Sequence, residues 1–300
     1  MQLKPLLHVL LVAVFATVAS AVVARWSAGS GPVPAREQSV QRIVSLSPPI
    51  TETLFALGVG SAVVGRSRFC SQPREVRSIP PAGTGLRPAI EALVRMRPTL
   101  ILVEDNVQTQ YDALKRVAPT ELLRWLDVED IIASVRRLGE LTGRSAAADS
   151  LAGQFERRLR GTAPASGLRV LLAFAHDPGQ LKRIFYLKAE SIHGAVLHAA
   201  GARNAVPKGQ TGVPQLSLEA VVRLDPDIII LLSADDNLAD AARRQLVRDW
   251  ARLGSVEAVK HGRIAVLNGS WMFGTGPRIL ELIDRLAEQI ARYEAEPRAK

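Results

Sequence analysis

The chain has 300 residues, of which 47% are hydrophobic and 22% charged, and its formal net charge is +9 at pH 7. This composition is typical of an ordinary globular protein with one large or two medium domains. The basic residues are spread along the chain with few aromatics and no nucleic-acid motif, so we expect no nucleic-acid site.

The N-terminus predicts export. Residues 1–21 combine an early lysine, an apolar run and a small-residue cleavage site, as in a secretory signal peptide that leads to the periplasm. An uncleaved membrane anchor is the alternative, because apolar residues continue beyond that site. Residues 22–40 are rich in glycine, proline and serine and predict a disordered lead-in. The single cysteine, Cys70, excludes an internal disulfide and a cysteine-bound metal cluster.

Two segments, 90–103 and 218–231, repeat one pattern 128 positions apart and keep a glutamate in the same place, Glu91 and Glu219. In each, apolar residues at helical spacing are followed by a proline and then by a short apolar run. The run is rich in β-branched residues, which predicts a strand buried on both faces of a parallel sheet. Helix followed by buried strand is the pattern of an α/β fold.

A further apolar strand precedes each repeat, at 42–46 and 168–174, and each leads into a helix with a glycine-rich end. Ser47 is suited to cap the first of these helices. We therefore predict an internal duplication into two Rossmann-like lobes with parallel sheets. The predicted boundaries are an N-terminal lobe over 41–126, a helical connector over 127–163 that breaks near Gly143, and a C-terminal lobe over 164–300.

Ligands of open α/β sheets lie beyond the carboxyl ends of the strands, so we expect a ligand cleft between the lobes. Arginines in these loops suit anionic groups, and aromatic rings offer flat apolar contact. The predicted ligand-binding residues are Ser47, Arg66, Arg68, Phe69, Gly85, Arg87, His176, Tyr186, Trp271 and Phe273.

Several segments in order carry a family resemblance, which covers residues 42–290. They are RIVSLSPPITETLFALGVGSAVVGRSRFCSQP (42–73), IEALVRMRPTLILV (90–103), RRLGELTGR (136–144), ESIHGAVLHAAGARNAV (190–206), QLSLEAVVRLDPDIIIL (215–231) and GPRILELIDRLA (276–287). The chain resembles the class III periplasmic substrate-binding proteins of ABC importers, which serve cobalamin, ferric siderophores and haem. The resemblance implies two α/β lobes joined by a long connecting helix, with the ligand between them.

The resemblance also implies partners. Glu91 and Glu219 match the two acidic residues that dock into arginine pockets of the permease dimer, which works with its ATPase. It implies a monomer that captures a ligand and catalyses no reaction. Where family members often have aspartate and tyrosine, this chain has Ser71 and Gln72, and Gly85 stands where a cobalamin binder has tryptophan. An iron–siderophore complex is therefore favoured slightly over cobalamin.

Other functions remain as alternatives. An enzyme would need a motif such as G-x-S-x-G, a P-loop or H-E-x-x-H, and the sequence has none, so we predict no catalysis and no cofactor. We predict no metal site, since His193 and His198 are five residues apart and share a helix face poorly. A haem-binding protein of the same family, with His176 against the ligand, and a sensor lobe that is not coupled to transport stay open.

Overall fold

A computed structural model describes residues 41–105, 108–160, 166–209 and 212–295. The predicted signal peptide and lead-in, residues 1–40, lie outside the described residues. Contacts divide the chain after Gln41, and the fold described here is that of the unit that begins at Arg42.

The strands form two main sheets and one small one. Within the described residues they are β1 (Ile43–Ser45), β2 (Val63–Arg66), β3 (Leu100–Glu104), β4 (Thr120–Leu123), β5 (Arg169–Phe174), β6 (Ile184–Phe185), β7 (Arg203–Asn204), β8 (Gln215–Leu216), β9 (Ile228–Ser233) and β10 (Ile264–Asn268). The first sheet has the order β2-β1-β3-β4 and the second β10-β9-β5-β7, while β6 pairs with β8.

Helices connect these strands. They are α1 (Pro48–Ala56), α2 (Ile90–Met96), α3 (Gln108–Lys115), α4 (Val128–Thr142), α5 (Ser145–Leu159), α6 (Ile192–Ala199), α7 (Leu218–Leu224), α8 (Asp240–Asp249), α9 (Glu257–Lys260) and α10 (Ile279–Glu294). Ser47 caps α1 as predicted, because its side chain accepts a hydrogen bond from the backbone N–H of Ile50.

The two sheets have the same topology. All pairs within them are parallel. In each, the first strand of the lobe lies between the second and the third, and the fourth lies outside the third. The predicted duplication into two α/β lobes is therefore confirmed, with the β6–β8 pair added to the second lobe.

The repeated helices α2 and α7 end in the same unusual way. Arg97 and Asp225, which follow them, are the two non-glycine residues of the described chain with positive φ, 46° and 43°. A residue in this left-handed conformation turns the chain sharply at the end of a helix. In both lobes the turn leads through a proline into the next buried strand.

An arginine at the start of each lobe donates hydrogen bonds to the backbone carbonyls at the end of this helix. Arg42 Nη2 donates to the carbonyl of Met96 at 2.7 Å, and its Nε lies 3.2 Å from the carbonyls of Met96 and Arg97. Arg169 repeats the arrangement, donating to Leu224 O at 2.7 Å and to Asp225 O. A cation is favourable here because the last carbonyls of a helix lack internal partners and carry partial negative charge.

One apolar core joins the lobes. It contains alternate residues of the central strands of both sheets, such as Ile43 and Ile228, together with connector residues such as Phe155. The other face of each sheet packs into a separate core within its own lobe. The central strands are thus buried on both faces, as the apolar runs predict.

The connector consists of two helices, α4 and α5, that pack against each other. Gly143 separates them in a left-handed conformation, φ 67°, as the predicted break requires. Gly139 allows close packing, since a Cβ there would lie 2.3 Å from that of Ala148. The long connecting helix of the family resemblance is therefore a packed helical pair in this chain.

We expect Arg42→Met and Arg169→Met each to lower the free energy of unfolding by about 1.5 kcal/mol, because each removes charged donors from a helix end. Urea denaturation measures this loss. Arg95→Met is the matched control, because Arg95 is an exposed residue of α2 that does not bond to the carbonyls at the helix end. It should change stability by less than about 0.5 kcal/mol. Equal losses of stability in all three variants would contradict a stabilising role for the bonds from Arg42 and Arg169 to the helix ends.

Candidate ligand-binding cleft

The carboxyl ends of the two parallel sheets meet at one edge of the molecule. Trp125, two residues beyond β4, donates from its indole N–H to the carbonyl of Thr275 in the second lobe at 2.9 Å. In the first lobe, Ser47 follows β1 and donates to Glu104 Oε1, at the end of β3, at 2.6 Å. Sheet order reverses between β1 and β3, and ligands of α/β proteins bind at such a point.

Exposed apolar side chains gather at this edge. Eight large apolar residues of the described chain are exposed. Six of them end a strand or lie in a loop at the carboxyl edge: Phe69, Leu86, Leu126, Phe174, Phe185 and Val213. The other two, Val94 and Val222, lie at equivalent positions of α2 and α7. A concentration of exposed apolar side chains at one edge is typical of binding surfaces, so this edge is the candidate site.

Aromatic contacts hold several side chains in place on the second-lobe side of the cleft. Phe174, at the end of β5, stacks on Phe273 with ring centroids 5.3 Å apart and planes 9° from parallel. Arg278 lies over the ring of Trp271 with its guanidinium carbon 4.6 Å from the centroid. Trp271 and Phe273 therefore present partly exposed rings at the cleft, where sequence reasoning expects them.

The predicted arginines have different roles. Arg66 is held by the protein itself, with Nε donating to Ile79 O at 2.9 Å and Nη1 to Ser67 O at 3.0 Å. Arg68 and Arg87 are exposed. Gly85 lies in a tight turn closed by two hydrogen bonds between Thr84 and Arg87, each 2.9 Å. Arg68 and Arg87 can reach an anionic ligand, whereas the placement of Arg66 indicates a structural role.

The structure buries two other predicted ligand-binding residues. His176 Nε2 lies 3.0 Å from Asp249 Oδ2, and only 8% of the His176 side chain is exposed. Tyr186 is 4% exposed and packs in the core of the second lobe. Both side chains are thus largely buried by tertiary partners that the local sequence does not reveal.

Two cavities lie at the end of the first sheet and beside the connector. A cavity of about 70 Å³ at the end of the first sheet is lined by Glu104, Asp105, Arg124, Trp125 and Leu126. A cavity of about 580 Å³ lies between the start of α4 and α6, beside the connector. The cleft itself is open, so we define it by its exposed side chains rather than by an enclosed volume.

Glu52 is a residue of the lobe junction that sequence reasoning missed. This half-buried carboxylate on α1 packs against the second lobe, where a Cβ on Gly276 would lie 2.6 Å from Glu52 Oε2. Burial raises the pKa of the Glu52 carboxyl to about 7, while attraction to Arg278 lowers it and repulsion from Glu281 raises it. The glycines at 274 and 276 were the available signal for a close approach.

The chain matches a known family. A model of the periplasmic binding protein family matches residues 43–270. The chain belongs to this family. An uncharacterized ABC transporter substrate-binding lipoprotein of Bacillus subtilis is 27% identical to this periplasmic binding protein over 263 residues, covering 83% of this chain and 80% of that protein. A vitamin B12-binding protein of Pectobacterium atrosepticum is 24% identical over 269 residues, covering 86% and 91%.

Solved structures share the fold of this periplasmic binding protein. A periplasmic heme binding protein from Pseudomonas aeruginosa has 25% sequence identity and a TM-score of 0.66, with 87% of this chain and 95% of that chain covered. The periplasmic vitamin B12 binding protein of Vibrio cholerae has 19% identity and a TM-score of 0.67, with 85% and 98% covered. The predicted family and its two-lobed fold are confirmed.

The described residues of this periplasmic binding protein contain no helix long and apolar enough to cross a membrane. They also contain no group of three or more His, Cys, Asp and Glu side chains arranged to hold a metal ion.

The repeated glutamates lie on exposed faces of α2 and α7. Ser217 caps α7, and its hydroxyl holds the pKa of the Glu219 carboxyl below its usual range. In α2 the capping position is Ala89, which offers no side-chain oxygen. Glu91 and Glu219 thus occupy equivalent positions, but only Glu219 has a capping serine beside it. Their role as docking residues stays a prediction.

We expect Glu52→Gln to stabilise the protein above pH 7. In the wild type, the raised pKa means that folding favours the protonated form. Stability from this group is therefore complete below pH 4.5, falls between pH 4.5 and about 7, and stays low above that range. Allowing for partial solvent screening, the variant should gain about 2 kcal/mol at pH 8 and little at pH 4.5.

Urea unfolding at both pH values measures this difference. Glu75→Gln is the control, because Glu75 is an exposed carboxylate of the same lobe away from the junction. A gain at pH 8 that also appears in the control, or an equal gain at both pH values, would contradict a buried, proton-linked Glu52.

Proposed function

We propose that this protein captures a corrinoid of the cobalamin class in the cleft and delivers it to an ABC permease in the membrane. It acts in the periplasm by binding and catalyses no reaction. The observation that carries the choice of ligand is the set of six exposed apolar side chains at the facing edges of both lobes. A large ring system with two apolar faces suits walls of this kind better than a small polar solute does.

Charge at the cleft fits the same ligand. Arg68 and Arg87 are exposed at the first-lobe edge and can meet the phosphodiester of cobalamin. Because Arg66 donates to backbone carbonyls, the edge offers less free positive charge than the sequence predicts. The preference for a highly anionic iron–siderophore complex therefore weakens, although that complex stays an alternative. Vitamin B12-binding relatives that match most of this chain support the corrinoid.

Haem is the second candidate, favoured by the stacked Phe174–Phe273 pair and by similarity to heme-binding structures. Haem iron held by a protein takes an axial ligand such as histidine or tyrosine. His176 is paired with Asp249 and Tyr186 is buried, so neither is presented to the cleft. Cobalamin brings its own lower axial base, and for this reason we rank the corrinoid first.

Delivery requires a docking surface, and the duplication supports one. Glu91 and Glu219 are exposed at equivalent positions of two short helices whose ends are held by equivalent arginines. A permease dimer presents two equivalent surfaces, so a duplicated acidic position on the binding protein suits it. A sensor partner with the same symmetry remains the alternative.

We expect saturable quenching of tryptophan fluorescence when cyanocobalamin is added to the purified protein, because Trp271 lies at the cleft. Haem and ferric catecholate and hydroxamate siderophores complete the panel. Phe69→Ala should weaken binding of the true ligand about tenfold, since Phe69 is 68% exposed in the free protein and loses that exposure in the complex.

Val94→Ala is the matched control for the titration, because Val94 is an exposed apolar residue of the same lobe outside the cleft. It should bind as the wild type does. Saturation by haem alone would replace the corrinoid with the second candidate, and no response to any ligand from folded protein would remove the proposed ligand class.

We expect the double variant Glu91→Lys, Glu219→Lys to lose ligand uptake while its affinity for the ligand stays unchanged, because reversed charge repels the cationic sites on the permease. Uptake in cells that lack the wild-type protein measures transport, and the fluorescence titration measures affinity. Glu75→Lys, Glu190→Lys changes the charge equally at exposed carboxylates away from these helices. Normal uptake in the first variant would exclude the docking role.

A further inference from the structure

A polar cavity of about 460 Å³ lies in the second lobe, away from the loops of the first lobe. Its walls come from α8, from the end of the edge strand β10 and from the outer face of α10. The charged residues that line it are Arg243, Arg285, Glu288 and Arg292. Three guanidinium groups thus share one concave surface with a single carboxylate.

Arg243 holds its place through neutral groups. Its Nη1 donates to the carbonyl of Val266, and its Nη2 lies 2.5 Å from Asn268 Oδ1. The residue is half-buried, and within the described part of the chain it forms no ion pair. These bonds fix the orientation of the Arg243 guanidinium and satisfy one backbone carbonyl of the edge strand. They do not neutralise the charge of the guanidinium, because both acceptors are uncharged.

The cavity therefore has an excess of positive charge. Glu288 pairs with Arg292 at 3.7 Å, one turn along α10. Arg285 lies about one turn before Glu288 on the same helix and, like Arg243, forms no ion pair among the described residues. Two cations on different elements face one cavity and neither forms an ion pair, so an anion placed between them would relieve their repulsion.

We propose that this cavity binds a phosphate group, either free or as part of an ester. Two uncompensated guanidinium groups match the charge of a phosphate near neutral pH, and the forked donors of arginine match its oxygens. Gln289, which also lines the cavity, supplies an amide donor for a further oxygen. The volume exceeds that of phosphate alone, so the site has room for the first atoms of an esterified group.

Trp271 provides a fluorescence signal for the cavity as well as for the cleft. Trp271 lines this cavity, and its ring lies under Arg278 on the segment that ends in the cleft. A phosphate bound beside it should change the fluorescence of Trp271, whether or not the cleft holds its ligand. The cavity shares no charged residue with the cleft edge, and calorimetry with phosphate in the absence of any cleft ligand keeps this site separable from the proposed corrinoid function.

Titration of the full chain with inorganic phosphate at pH 7 and low salt, followed by calorimetry and tryptophan fluorescence, tests the site. We expect saturable binding by the wild type and at least tenfold weaker binding by Arg285→Gln. Arg285 has an exposed side chain without an ion pair, so this variant should fold normally. Arg243→Gln should weaken binding as well, and its thermal unfolding reports any loss of stability.

Arg244→Gln is the matched control, because Arg244 is exposed on α8 next to Arg243 and does not line the cavity. It removes the same charge and should bind phosphate as the wild type does. Absence both of saturable phosphate binding and of vesicle binding that depends on Arg285, or equal weakening by Arg244→Gln and Arg285→Gln, would overturn the proposal, since equal weakening reflects net charge alone.

A second arm distinguishes the sources of phosphate. Co-sedimentation with vesicles of phosphatidylglycerol, compared with phosphatidylcholine, tests a lipid headgroup. Phosphatidylglycerol binding that Arg285→Gln abolishes assigns the site to an anionic headgroup. Phosphate binding without vesicle binding assigns it to a soluble phosphate or phosphate ester. Vesicle binding that no cavity variant changes, without saturable phosphate binding, overturns the proposal.

Discussion

Burial of the central strands on both faces is the constraint on which the molecule depends. In β1, Ile43 packs into the core that joins the lobes and the next residue, Val44, packs into the core of the first lobe. All six residues of β9 are buried. Since the side chains of these strands are used by the two cores, contacts to a ligand must come from strand ends and loops. Parallel strands bring their carboxyl ends to one edge, and this is where the exposed apolar residues gather.

Features of the fold that arise from short sequence patterns were predictable, whereas features that depend on residues distant along the chain were not. The helices α2 and α7, the strands after them and the cap at Ser47 follow from short patterns, and the structure confirms them. The roles of Arg66 and Tyr186 do not follow, because carbonyls and core residues distant along the chain decide where these side chains point. Glu52 was missed for the same reason. Its burial comes from Gly276, more than two hundred positions later, and only the glycines there indicate the contact.

The shared core also bears on how a ligand is captured. Residues of both sheets, the connector and α10 belong to one apolar cluster, so a wide separation of the lobes would expose buried surface at about 25 cal/mol for each Å². The bond from Trp125 to Thr275 adds a second link between the lobes. A cleft held in this way is largely formed before the ligand arrives. Little of the binding free energy is then spent on closure, and selectivity has to come from the shape and charge of the existing edges.

The same rigidity connects the cleft with the repeated helices. Strand β5 begins at Arg169, which holds the end of α7, and ends at Phe174, which stacks on Phe273 in the cleft. Six residues of extended chain span roughly 20 Å, so one buried strand sets the distance between the ligand wall and the helix that carries Glu219. The first lobe repeats this arrangement from Arg42 to Ser47 through β1. A partner that contacts both glutamates therefore meets two helices whose positions relative to the cleft are fixed by the sheets. Such a partner can contact a bound ligand directly at the cleft edges, so detection of the ligand does not require a large movement of the lobes.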